Sequence, residues 1–112
     1  MSNPVSPKLY WDSICRDLDG AETAILHDTV YYSLNLCRAL VFAREGAVLS
    51  KLEGGKRALE FLLPQFRSLV EECMEAYIGS VPLRPRLNER EYRLFAEYML
   101  NEINRITASP FH

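Results

Sequence analysis

The chain is 112 residues long, carries a net charge of -2, and is 48% apolar and 25% charged. That length holds one domain with a core of its own, and the composition excludes disordered and collagen-like classes. Basic and acidic residues are interleaved, so no field exists that would gather a phosphate backbone, and general nucleic-acid binding is excluded.

Residues 1–7, Met-Ser-Asn-Pro-Val-Ser-Pro, predict a flexible leader ahead of a single helical domain over 8–112. The leader has neither a basic n-region nor an apolar h-region. The longest unbroken apolar run, Ala39 to Ala43, is far too short to span a bilayer, so no membrane association and a cytoplasmic location are expected. From Lys8 to about Asp19, the spacing of Leu9, Tyr10, Ile14, Cys15 and Leu18 predicts a short amphipathic helix, stopped by Asp19-Gly20. Trp11 is expected to pack on a neighbouring helix. A loop follows over about Gly20 to His27.

Residues 28–45 stand out. Most positions from Val30 to Ala43 are apolar on every side of a helix drawn through them, which predicts an element enclosed by others, with Asp28 as N-cap and Gly46 as its stop. The polar exceptions, Asp28, Tyr31, Asn35 and Arg38, fall within roughly 80° of one another at helical spacing, one polar stripe on an otherwise apolar helix. Ser50-Lys-Leu-Glu53 has the form of a capping box, and Leu52, Gly55, Leu59 and Leu62 continue a helix to about Leu63. Gly54 and Gly55 inside it cost roughly 1 kcal/mol each relative to alanine, which predicts close backbone approach to a neighbouring helix or a ligand. Pro64 suits the first turn of a fourth helix, whose inner face is Phe66, Leu69, Val70, Cys73, Met74 and Tyr77 and which Gly79 ends. Ser80 to Leu87 reads as an extended connection. Asn88 with Glu91 caps a last helix with Tyr92, Phe95, Met99, Ile103 and Ile106 inward, running to about Thr107. With no sustained period-two segment, the expected fold is all-α, a small bundle of about five helices around the central one.

Cys15, Cys37 and Cys73 lie in helical patterns without a C-x-x-C, the pattern of reduced core thiols, and His27 and His112 form no metal-ligand cluster. Asp17-Leu18-Asp19 could in principle hold magnesium, yet it lies at a helix end with no phosphate loop upstream and reads as a solvated turn. Gly79-Ser80 lacks the paired aspartates a nucleotidyltransferase loop needs, and no Ser/His/Asp set or P-loop is present. Two readings of the polar stripe stay open. In one, Asp28 only caps, Tyr31 and Asn35 are satisfied core polars, and Arg38 snorkels or pairs with an acid. In the other, Lys51, in the first turn of the next helix, folds back beside Arg38, and the two converge on a phosphate at a helix start.

Taken together, Tyr31-Tyr-Ser-Leu-Asn-Leu-Cys-Arg38, Glu45-Gly-Ala-Val-Leu-Ser-Lys51-Leu-Glu53, Ala58-Leu-Glu-Phe-Leu-Leu-Pro64 and Glu75-Ala-Tyr77-Ile-Gly79 resemble the helical C-terminal domain of the aminoglycoside adenylyltransferases that modify streptomycin and spectinomycin, across about residues 28–106. In such enzymes an N-terminal nucleotidyltransferase domain carries the magnesium aspartates and the base, and transfers AMP from ATP to a drug hydroxyl. The resemblance implies that Arg38 and Lys51 contact the ATP phosphates, that Tyr77 lies at the nucleotide, and that Asp28 holds cationic groups of the aminoglycoside. It assigns no catalytic or metal residue to this chain, and it implies that ATP and magnesium matter only in the context of a full enzyme. Implied partners are a nucleotide or an aminoglycoside and a nucleotidyltransferase domain in cis or in trans. The alternative is a stand-alone helical interaction module, homodimeric and without catalysis.

Overall fold

A computed structural model describes residues 6–83 and 89–107. Within them all regular structure is helical, in the order α1 Pro7–Leu18, α2 Ala21–Ala24, α3 Thr29–Glu45, α4 Lys51–Ala58, α5 Pro64–Gly79 and α6 Glu89–Thr107. The expected all-α bundle is what forms. Every other helix touches α3, whose residues from Ser33 to Val41 are buried apart from Arg38. An element apolar on all sides thus found neighbours on all sides. Leu34, Leu36 and Val41 of α3, Val70 of α5, and Phe95 and Met99 of α6 fill the centre with no exposed surface. Among the described residues no helix is long and apolar enough to cross a membrane.

The caps expected from sequence hold the ends. The Asp28 carboxylate accepts from the Tyr31 amide at 3.2 Å, and Gly46 closes α3 at φ 71°, a conformation glycine adopts without strain. The Ser50–Glu53 capping box is complete: Glu53 N donates to Ser50 Oγ at 3.2 Å, and Ser50 N donates to Glu53 Oε1 at 2.9 Å.

Four details differ from the expectation. The first helix starts at Pro7, inside the stretch read as leader, because proline is favoured at N1. The loop over 20–27 contains a single helical turn, α2, which buries Ala21 and places Ile25 in the core beside it. One turn is too short to leave a periodic signal. The helix α4 stops at Ala58 instead of about Leu63, tightening through Glu60 N to Arg57 O and Phe61 N to Ala58 O. The proline at 64 forces Leu63 into extended backbone, so the chain must leave the helix before it. Gly79 ends α5 as expected, with Ser80 beyond it in the left-handed region at φ 51°, but Tyr77, expected on the inner face, is 46% exposed because it falls in the last turn, past the neighbouring helices. The leader over 1–5, the connection over 84–88 with the Asn88 cap, and His112 lie outside the described residues.

Candidate functional site

The polar stripe faces α1 and the start of α4. Arg38 Nε donates to the Leu49 carbonyl at 2.9 Å and Nη1 donates to Asn35 Oδ1 at 3.0 Å, while its Cζ stands 5.0 Å from the centre of the Tyr10 ring. The Tyr10 hydroxyl donates to the same carbonyl at 3.0 Å and accepts from Leu49 N at 3.3 Å. Asn35 is buried, and this bond to Arg38 gives its amide oxygen a donor. The first reading of the stripe is therefore met in part: Asn35 is a satisfied core polar, and Arg38 is tied to the fold by two of its five N–H groups.

Gly54 explains how α4 comes so close. A Cβ built there would stand 2.7 Å from Arg38 Cγ and 3.1 Å from Arg38 Cα, and one at Gly55 would stand 2.9 Å from Met74 Sδ. The paired glycines therefore serve neighbouring helices, α3 for the first and α5 for the second.

Lys51 begins α4, and its Nζ lies 5.5 Å from the centre of the Tyr31 ring. Since Tyr31 and Arg38 are seven positions apart on α3, they lie on one face about two turns apart. Lys51 and Arg38 thus stand along the same stripe. No carboxylate of the described residues lies within ion-pair distance of either cation, whereas Lys8, Arg57 and Arg105 are all paired. Asp28 is exposed at the head of the stripe, with one oxygen committed to its capping bond.

Tyr77 is half-exposed in the last turns of α5. Arg67 reaches the Leu59 carbonyl while Met74 meets Gly55, so α4 and α5 run antiparallel. The end of α5 with Tyr77 accordingly lies toward the start of α4 with Lys51.

Two site residues were not found from sequence. Tyr10 read only as the inner face of the first helix. Asp17, set aside as part of a solvated turn, faces the Tyr31 phenol; burial first, and then this carboxylate, raise the Tyr31 pKa above the ordinary phenol value. A tyrosine whose partner is a backbone carbonyl, and an aspartate whose partner is on another helix, leave no spacing signal.

A family model described as aminoglycoside adenylyltransferase, C-terminal domain, matches residues 1–102. The chain belongs to this family. No curated protein and no solved structure matches it.

In this aminoglycoside adenylyltransferase C-terminal domain the thiols make none of the stripe's hydrogen bonds described above. Cys37 and Cys73 are buried and Cys15 is half-buried, all three free. Burial pushes the Cys73 thiol up to about 11, partly offset by the Ser33 hydroxyl beside it, and raises Cys37 further. The larger open hollows are lined by other residues. One of about 540 Å³ lies against Glu71, Glu72, Glu75 and Val81, and a more apolar one of about 650 Å³ lies between α5 and α6 against Phe66, Leu69, Leu94 and Tyr98. Among the described residues no three His, Cys, Asp or Glu side chains gather as a metal site.

Proposed function

We propose that this chain is the substrate- and nucleotide-binding helical part of an aminoglycoside adenylyltransferase-like protein, inactive alone. In the full enzyme the drug hydroxyl oxygen bonds to the α-phosphorus of ATP as the bond to the β-phosphate breaks, and pyrophosphate leaves. Magnesium and the base belong to a nucleotidyltransferase domain, acting in cis or in trans. On this reading Arg38 and Lys51 hold the phosphates and stabilise the departing charge, Tyr77 lies at the nucleotide, and Asp28 takes cationic groups of the aminoglycoside.

The observation that supports the reading is that Arg38 and Lys51 stand along one face of α3 with no carboxylate of the described residues paired to either. Two such cations beside a helix start attract a phosphate chain. The test is calorimetric titration of magnesium-ATP, with an aminoglycoside present, into the full chain. Saturable heat in the millimolar range is expected, weakened about tenfold or more when Arg38→Ala and Lys51→Ala are combined. Equal heats from both proteins, or none from either, would contradict the assignment.

A second reading has its own observation. Tyr77, Ile78 and Val81 form an exposed apolar group at the end of α5, which suits a stand-alone interaction module that pairs with a second copy. Light scattering that finds only monomer at high protein concentration removes it.

A further inference from the structure

We propose that Tyr10 is the positioning residue for the Arg38 guanidinium, a role that rests on Arg38 being a phosphate contact. Tyr10 belongs to α1, far in sequence from the stripe, and is only 5% exposed. Burial alone would be served as well by phenylalanine. Its hydroxyl, however, engages both polar groups of one residue, donating to Leu49 O at 3.0 Å and accepting from Leu49 N at 3.3 Å. That carbonyl also accepts from Arg38 Nε at 2.9 Å, so its two lone pairs are shared between a tyrosine from α1 and an arginine from α3. The Tyr10 ring lies under the same guanidinium, 5.0 Å from Cζ.

These contacts determine how Arg38 meets a ligand. An arginine free to rotate must be ordered by its anion, which weakens binding; one already fixed at Nε and Nη1 presents its remaining N–H groups in a set direction. The anchor at Nε is the Leu49 carbonyl, and Tyr10 holds that carbonyl in place. The Leu49 peptide also stands immediately before Ser50, the N-cap of α4, and two residues before Lys51. One hydroxyl therefore sets the direction of the first cation and the entry of the helix that carries the second.

The experiment is a double-variant cycle read by calorimetry, titrating inorganic triphosphate into the full chain, its Y10F and R38A variants, and the two combined. Tyr10→Phe keeps the ring and the packing, and thermal melts confirm that each variant is folded. The dissociation constant is expected to rise about fivefold in Y10F, the worth of one neutral hydrogen bond, and by less than about twofold when the same change is made on the R38A background. An Ile103→Val variant, which loosens the core away from the stripe, is expected to leave the affinity unchanged. If R38A weakens binding and Y10F does not, or if Y10F weakens it equally with and without Arg38, Tyr10 is not positioning Arg38 and the inference falls while the phosphate contact stands. If the wild type binds no triphosphate, or R38A binds as the wild type does, the phosphate contact falls and takes the inference with it.

Discussion

The two flanks of α3 are built on different principles. Toward α5 and α6 it meets Val70, Phe95, Met99 and Ile103, fully buried apolar side chains, with the Phe66 and Phe95 rings 5.3 Å apart edge to face. Toward α1 and α4 the Tyr10 and Trp11 rings pack on Phe42, with ring centres 5.4 and 5.2 Å apart, and a backbone carbonyl and a close glycine bring in the directional bonds of Arg38 and Asn35. The first flank is held by volume and is sensitive to lost methylenes. On the second, direction is added to packing, and an atom gained or lost at one position changes where a charge points. Function is expected on the second flank, because a fixed direction is what ligand recognition requires and bulk packing does not.

Three substitutions probe that contrast, from the largest effect down. Phe95→Ala, on the packed flank, should cost about 3–5 kcal/mol in urea unfolding, since a fully buried ring leaves a cavity and Phe66 keeps only Tyr98 of its two ring partners. A cost under 1 kcal/mol would mean that this flank is not a tight core. Gly54→Ala acts on the other flank. Helix propensity alone would make it stabilising by about 1 kcal/mol, but a Cβ 2.7 Å from Arg38 Cγ and 3.1 Å from its Cα forces α4 away, and a net loss of about 1–3 kcal/mol is expected. A raised melting temperature would show that α4 and Arg38 are not in contact.

The smallest of the three effects concerns the entry to α4. Ser50→Ala should lower stability by about 1 kcal/mol through loss of the cap. The Ser50 backbone N–H, and then its hydroxyl, hold the Glu53 carboxyl below the usual glutamate range in the folded chain. The unfolded chain therefore takes up that proton first as the pH drops. The stabilisation from Glu53 is present above the ordinary glutamate value and is lost as the pH falls through the lowered folded value. Unfolding curves measured across the acid range should be steeper for the wild type than for Glu53→Gln, and identical slopes would remove this contribution.

What could be read in the sequence is what has a local or periodic signature. The enclosed α3 was legible because its apolar residues surround it, and the caps at Asp28, Gly46 and Ser50–Glu53 because each is a short pattern of fixed spacing. That Lys51 would face the polar stripe was legible as a stripe followed by a helix start, and it lies over Tyr31, about two turns from Arg38. Gly54 and Gly55 announced a close approach by their cost, but not whose; only packing shows Arg38 against one and Met74 against the other. The single turn of α2 lies below the length at which periodicity exists. The Tyr10 anchor was invisible for a deeper reason: its partner is the Leu49 peptide, and every residue has a peptide group. Contacts made by side chains to distant backbone are fixed by tertiary approach and leave no trace in residue choice at the accepting position.

That the flank of α3 facing α1 and α4 is a phosphate-binding surface is tested most directly by nuclear magnetic resonance of the full chain titrated with magnesium-ATP. The shift changes are expected to concentrate on the Arg38 Nε–H and on the backbone amides from Leu49 to Gly54, the groups that surround the two cations. Changes confined instead to residues 71–83, along the acidic hollow at the end of α5, or no changes at all at millimolar nucleotide, would contradict it.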